Sequence, residues 1–583
     1  MKTKRKKTKL NKYQKLLIIV ILIYTTVSFI NLGNIKSPKT FVNLKNNEYA
    51  IYEIEDGSIP SEMVYFVGND NAYVSTFLAT DYDIFTNEGF EYDASFGTDF
   101  GAVYTWRRES INKDKKNSRY IMLASYWDST VLGEVAFLDE EGAIIQTRLI
   151  SGTDLLNDEA DTIQLKRTFM NSAYFDEIYF ERASYEIFNN KYIFECTHPP
   201  LGKIIMWIPM AIFGISPFTA RLMGNIAGIL MILVMYYIAK ELFKDEKYAL
   251  FASIILALDG MHFAQTRIAT VDSFLVLFSM VSILFFIKYL KSKNKYKYHL
   301  LAISGFMWGC AVSTKWIAFF LGLGLAIIFF IDYFVNKKII INKKFNYKPI
   351  LMGFLCFVIL PLTIYTLSYL PVAMNQNETV IYKSVNKNGI SKEEMIRPNS
   401  IRGLFLYQIS MYQFHSRVGT AEDYQVHPYS SKWYTWPVLY KPTWLSVDFY
   451  DNNMKSTIAS MGNPIIWWLS DISFILMLFY SIKKKDKIGL LLFILIISTW
   501  LPFIFISREM YIYHYFLTSI LMMLTIVFVV SKILKYKPKL KYLIPTLVTI
   551  FLISFIYFYP VCGGMIVSED YINSTKWLSS WVY

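Results

Sequence analysis

Apolar runs of roughly bilayer-crossing length recur along this chain and alternate with short basic loops. A bilayer core asks for about 20 apolar residues per helix. Runs at or near that length lie at 16–32, 218–239, 248–264, 270–290, 299–314, 316–335, 349–370, 461–482, 488–506, 511–533 and 541–560, eleven in all. Lys315 divides one long apolar region into two of these. Charge follows the same rhythm. Of the 59 Lys and Arg, 30 fall in six short segments (2–15, 240–247, 288–297, 337–348, 483–487 and 532–541) that hold only four acidic residues. The rest of the chain carries a net charge of −13, although the total is +13. Such segregation is the positive-inside pattern, and it argues against nucleic-acid binding as the reason for the basic total. With residue 2 inside, every basic segment lands inside, and an odd number of spans leaves the stretch after Cys562 outside. Charged residues are 18% of the chain, against about 25% in soluble proteins, as expected where lipid is much of the solvent.

The basic stretch 2–15 precedes the run Leu16–Leu32, which is about 17 residues long and has no small-x-small cleavage site after it. This predicts a retained first helix rather than a cleaved signal peptide. The chain then reads as five regions. Residues 1–33 form a cytoplasmic basic tail and the first transmembrane helix, and 34–170 an extracytoplasmic β-rich insert. Residues 171–370 hold a catalytic outer loop and transmembrane helices 2–7. An extracytoplasmic aromatic-rich loop covers 371–460, and 461–583 give helices 8–11 with an outer C-terminal tail. Within the insert, runs such as MVYFVG, NAYVSTFLA and RYIMLASYW predict short strands, and FLDEEGAII a hairpin turning at Glu141–Gly142. Together they predict a small β-sandwich, with sugar binding and a structural or acceptor-facing role both open. Cys196 and Cys562 fall on the same outer side, which allows a bridge without requiring one.

The clearest site signal follows the insert. Tyr174-Phe175-Asp176-Glu177 is succeeded by Thr197-His198-Pro199-Pro200-Leu201-Gly202-Lys203, just before an apolar run at 204–215 suited to an interfacial helix. Taken alone, Asp176-Glu177 also reads as a solvated loop pair. Further cations stand at the outer ends of spans: Arg221, Arg267 in the loop Asp259–Arg267 with Asp272 after it, Lys315, and Arg508 with His514. Charges at membrane depth are expensive unless paired or used, whereas snorkelling to headgroups needs no function. Convergence of five on one face favours function. Arg can hold a phosphate by bidentate hydrogen bonds and Lys as a point charge, while a carboxylate can take a proton from an acceptor hydroxyl. That set suits group transfer from a phosphate-linked donor. No Gly-rich phosphate loop faces the cytoplasm, so a sugar donor used outside has to arrive on a lipid.

FDEIYFERASYEI followed by THPPLGK resembles the start of the dolichyl-phosphate-mannose–protein mannosyltransferases in their bacterial form. ARLMGNIAGIL, LDGMHFAQTRIATVDSFLVLF, CAVSTKWIAFF, HPYSSKWYTWPV, REMYIYHYF and YPVCGG…WLSSW continue the resemblance in order, over roughly 170–583. It implies a mainly α, polytopic membrane fold of the GT-C glycosyltransferase type, about 11 helices with an extracytoplasmic β-sandwich-like insert. It implies Asp176 as catalytic base with Glu177 beside it, and Arg221 as an essential cation. His198, Lys203, Arg267, Lys315, Arg508 and His514 follow as phosphate or substrate contacts, with no metal and no cofactor. The implied reaction moves mannose, or a related hexose, from a polyprenyl-phosphate carrier to Ser/Thr hydroxyls of extracytoplasmic proteins, inverting the anomeric centre. The implied partners are that donor, a protein or glycan acceptor and membrane lipid, with no nucleic acid. The chain departs from eukaryotic members in two ways: 371–460 is too short for their extra module, and the insert 50–165 lies where they have little. A cell-wall polymer or lipid glycan as acceptor is the nearest rival, and a lipid or polymer flippase the rival from another class.

Overall fold

A computed structural model describes residues 10–583 except 71, 84–85, 99–100, 126–128, 153–155, 295, 337–345, 378–379, 386–390 and 418–426. The inner-side basic residues expected within 2–9 and 337–345 thus lie outside the described residues. The chain divides into two compact units, Leu32–Arg182 with Ile208–Ala220, and Met1–Asn31, Ala183–Trp207 and Arg221–Tyr583.

Among the described residues the first unit has ten strands: β1 Val42–Lys45, β2 Tyr49–Ile54, β3 Glu62–Val67, β4 Tyr73–Ala79, β5 Glu91–Gly97, β6 Thr105–Ser110, β7 Tyr120–Ala124, β8 Ser129–Leu132, β9 Val135–Leu138 and β10 Thr147–Ser151. A five-stranded sheet runs in the order β10-β2-β7-β4-β5, a three-stranded one in the order β6-β3-β9, and β1 pairs with β8. All these pairings are antiparallel. Alternation along the strands supplies the core. Ala50, Tyr52 and Ile54 of β2 join Met63, Tyr65 and Val67 of β3 in one buried cluster with Leu123 and Phe137. Tyr52 and Phe137 meet edge-on across the two sheets, ring centroids 5.3 Å apart. Each fully buried side chain of this size contributes roughly 1.5–3 kcal/mol of apolar burial. The expected sandwich and its hairpin are both present: the Gly142 amide donates to the Asp139 carbonyl (3.2 Å), with Gly142 in the left-handed region at φ +81°.

The second unit is helical. Nine helices among the described residues are long and apolar enough to cross a bilayer: Lys12–Phe29, Pro217–Phe243, Asp272–Lys291, Ala318–Val335, Tyr347–Met374, Pro464–Lys484, Lys487–Phe505, Ile512–Tyr536 and Pro538–Gly563. Two of the eleven expected runs are shorter. The run 248–264 forms helices Glu246–Ala257 and Gly260–Gln265, because Asp259 caps the second by accepting from the His262 amide (3.0 Å). The run 299–314 is the 16-residue helix Lys297–Val312, about 24 Å long against a hydrocarbon core of about 30 Å. The chain breaks at Lys315 as the sequence predicts, and 204–213 of the run 204–215 belong to helix Leu201–Phe213. Small residues let helices touch: a β-carbon at Gly305 would collide with the Cys356 carbonyl, and one at Gly324 with the Ser498 hydroxyl.

The aromatic-rich segment contributes a helix, Ile401–Arg417, and two hairpins, β11 Val380–Val385 with β12 Ser391–Ile396 and β13 Thr443–Tyr450 with β14 Met454–Ser460. Strand β15, Ile566–Ser568, extends the second hairpin. Tyr407 and Met411 of the helix bury against Tyr369, Val372 and Ile187. No disulfide joins Cys196 to Cys562.

Candidate active site

Asp176 and Glu177 belong to the first unit and stand at the start of helix Glu177–Phe188. The two adjacent carboxylates are not equivalent. The Glu177 side chain is fully buried and accepts from the Tyr174 amide (3.1 Å), closing the turn from inside. Asp176 is half-buried, and its carbonyl accepts from the Tyr179 and Phe180 amides (3.1 and 3.3 Å), beginning the helix. Phe175 between the turn and Asp176 lies at φ +51°, a left-handed conformation that costs a bulky residue roughly 1–2 kcal/mol. Strain of this kind is retained where the backbone must aim a particular group.

In the helical unit, a cavity of about 380 Å³ is lined by Thr197, His198 and Pro199, by Lys315, Trp316, Ile317, Phe319 and Phe320, by Tyr412, His415 and Ser416, and by Phe503, Phe505–Arg508, Met510 and His514. Four of the sequence-predicted residues, His198, Lys315, Arg508 and His514, therefore share one space. Each is set by a different device. Lys203, in the first turn of helix Leu201–Phe213, donates all three ammonium hydrogens: to Glu195 Oε2 (2.7 Å), to the Glu195 carbonyl (2.7 Å) and to the His198 carbonyl (3.0 Å). Glu195 in turn accepts from His198 Nδ1 (2.8 Å), which leaves Nε2 as the acceptor of the neutral ring. Burial works against the Glu195 anion, but Lys203 and His198 beside it hold the carboxyl well below the usual range. Burial pulls the His198 imidazole below its ordinary value, against the pull of Glu195.

Lys315 donates to both oxygens of Asp272, at 2.9 and 3.1 Å, and its ammonium lies 5.6 Å from the Tyr513 ring centroid. Arg508 is held differently. Its Nη1 donates to His415 Nδ1 (2.5 Å) and its Nη2 to His514 Nε2 (3.4 Å). Among the described residues no carboxylate pairs with it. Burial, then the neighbouring His198 and Arg508, pull His415 down to about 3, so the ring is neutral. A half-buried guanidinium met only by neutral acceptors at the wall of a cavity is a ready anion site.

The other predicted cations do not line this cavity. Lys203 spends its hydrogens beneath it, as a support for His198. Arg221 is buried in helix Pro217–Phe243. Arg267 donates to the carbonyls of Ser28 (3.1 Å), Asn31 (2.8 Å) and Ile30, and lies over the Phe263 ring. It thereby clamps the end of the first helix. Sequence reasoning missed His415 and Glu195. His415 had a signal: Leu404, Tyr407, Gln408, Met411 and His415 recur at helical spacing within a segment read as loop.

Comparison with known proteins settles the family. Residues 162–375 match the family model for dolichyl-phosphate-mannose-protein mannosyltransferase, and residues 400–581 that for the C-terminal four-TMM region of protein-O-mannosyltransferase. The chain belongs to the dolichyl-phosphate-mannose-protein mannosyltransferase family. Among relatives of this mannosyltransferase-family chain is the polyprenol-phosphate-mannose–protein mannosyltransferase of Mycolicibacterium smegmatis. It is 24% identical over 454 residues, covering 70% of this chain and 87% of the relative. The Corynebacterium glutamicum protein of the same name is 25% identical over 429 residues, 66% and 81% of the two chains. The structure of the S. cerevisiae protein O-mannosyltransferase Pmt1-Pmt2 complex bound to the sugar donor superimposes with a TM-score of 0.59 at 13% identity, over 70% of this chain and 89% of that one. The family member described here is thus a multi-pass membrane protein with the GT-C helical bundle and sheet-bearing insert expected from its sequence. Strands β1–β10 all precede residue 162, where the family match begins.

Proposed function

We propose that this chain moves a mannosyl group from a polyprenyl-phosphate carrier to Ser or Thr hydroxyls of proteins outside the cytoplasm. Family membership makes it a lipid-phosphate-sugar-dependent glycosyltransferase. The observation that carries the donor assignment is Arg508, a cation without a carboxylate partner among the described residues, facing a cavity it shares with Lys315, His198 and His514. There the donor phosphate accepts hydrogen bonds from Arg508, beside the Lys315–Asp272 pair. Asp176 takes the proton of the acceptor hydroxyl, and the oxygen attacks the anomeric carbon from the face opposite the phosphate. The bond from that carbon to the phosphate oxygen breaks, its electron pair stays on the phosphate, and lipid monophosphate leaves. Stabilising that developing charge is the largest expected contribution of the cations. Glu177 holds the turn that presents Asp176, and Arg221 supports the donor side. The positive-inside pattern supports a cytoplasmic N-terminus, with the C-terminus and chemistry on the other side.

The test is direct. The full chain, reconstituted with labelled polyprenyl-phosphate-mannose and a Ser/Thr-rich acceptor polypeptide, should label the polypeptide and release lipid monophosphate. Label moved across the bilayer with no new covalent product would mean a flippase. A wall polymer or lipid glycan remains the second reading of the acceptor, because the β-sandwich lies outside the family match; label appearing only in such a glycan would select it.

A further inference from the structure

Three cations of the helical unit, Lys203 and Lys315 buried and Arg508 half-buried, differ in what holds them. Lys203 meets Glu195 and Lys315 meets Asp272, so each carries its own counter-charge. Arg508 meets two imidazoles instead. A ring nitrogen that accepts from a guanidinium must carry a lone pair. His415 is fixed in that tautomer from its far side, since Nε2 donates to the Thr197 carbonyl at 2.7 Å. The same ring packs edge-on to His198, centroids 5.2 Å apart, and beside Trp316 at 6.4 Å. The helix that delivers it is anchored one and two turns back by Met411 and Tyr407. Every tie on His415 therefore serves to hold a neutral acceptor against Arg508.

We infer that His415 is a positioning residue that fixes Arg508 through an uncharged acceptor, so that the whole guanidinium charge is left for the lipid phosphate. The inference rests on the reading of this cavity as the phosphate site. A carboxylate at position 415 would hold Arg508 at least as firmly, but it would neutralise it. An amide would hold it as the imidazole does, with an oxygen to accept from Arg508 and an N–H to donate to Thr197.

The experiment compares His415→Gln, His415→Glu and His415→Ala in the purified full chain. Two quantities are read: binding of a short-chain prenyl phosphate, and KM and kcat for polyprenyl-phosphate-mannose. Gln should leave binding within about threefold of wild type, and Glu should weaken it about thirtyfold or more, because the carboxylate sets a negative charge against Arg508 and has no N–H for the Thr197 carbonyl; the Arg508→Gln background separates the two effects. Ala should raise the donor KM about tenfold with kcat changed less than about threefold, the pattern of lost ground-state binding. Placed on an Arg508→Gln background, His415→Glu should add less than about twofold, since the charge it quenches is gone. Equal binding by the Gln and Glu variants, or an undiminished Glu effect without Arg508, overturns the inference. A wild-type chain that binds prenyl phosphate but transfers no sugar would instead defeat the transferase reading and leave the role of His415 standing on the binding data.

Discussion

The β-sandwich and the helical unit handle charge in opposite ways. On the sandwich, Glu53 of β2 is clasped by Arg119 (2.7 Å) and by Arg148 of β10, and both arginine side chains are 62% exposed. Water shares the work of stabilising them, and the pairs tie neighbouring segments of one sheet. In the helical unit the Lys203 and Glu195 side chains are 2% and 7% exposed, and those of Lys315 and Asp272 8% and 6%. There a charge has to be compensated by protein, or its lack of compensation has to serve something. Surface pairs are typically worth 0–1 kcal/mol, whereas removing one partner of a buried pair costs about 3–5 kcal/mol. The comparison teaches that a charge is informative in proportion to how little water can reach it.

The contrast can be broken or sharpened by substitution. The largest effect should come from Asp176→Asn, which keeps the shape of the side chain and removes the base; sugar transfer should fall about 10²–10⁴-fold. Turnover near wild type, with protein inserted normally, would end the assignment of Asp176. Arg508→Ala should lower kcat/KM about 10²-fold, a deficit that added salt cannot restore. An unchanged donor KM and kcat would show that Arg508 has no part in donor use. Lys203→Met should cost about 3–5 kcal/mol by stranding the Glu195 carboxylate, read as thermal unfolding in detergent. A change below about 1 kcal/mol would mean that this buried pair behaves like the pairs on the sandwich.

A smaller effect tests the exception inside the sandwich. Glu134, just before β9, is fully buried; one oxygen accepts from the Glu159 amide (2.7 Å), and Asp158 lies beside the carboxyl. Burial, with Asp158 nearby, pushes this carboxyl from 4.5 up to about 7. The folded state therefore favours the protonated form. The stability that form supplies is complete below about pH 4.5 and is lost as pH rises through 7. Glu134→Gln should remove this dependence and raise stability at pH 8 by at most about 3 kcal/mol; identical pH profiles for the two proteins would exclude it. Least of all, Arg148→Ala should shift the unfolding temperature by less than about 2 °C.

Much of the architecture was legible because lipid and sheet cores impose simple periodicities. The spans show as apolar runs, the sandwich as alternation, and the turn at Gly142 as a residue type. Pairing was not legible. Asp272 and Lys315 are 43 residues apart, and no spacing rule joins them. Nor could adjacency in sequence tell Asp176 from Glu177, since only the fold buries one and half-exposes the other. Two of the predicted phosphate contacts, Lys203 and Arg267, turned out to be occupied inside the protein, which a sequence cannot reveal because backbone carbonyls leave no mark in it. His415 was hidden for a different reason: its helix lies in a segment whose aromatic content masked an amphipathic stripe.

The clamp that Arg267 makes has a consequence for how the protein is made. Its guanidinium grips carbonyls at the end of the first helix, 239 residues upstream in the case of Ser28. At roughly 5–20 residues per second, the ribosome needs about 12–50 s to deliver the arginine after the helix has emerged. For that interval the first helix sits in the bilayer without the partner that will fasten it, and the growing chain has to keep it within reach.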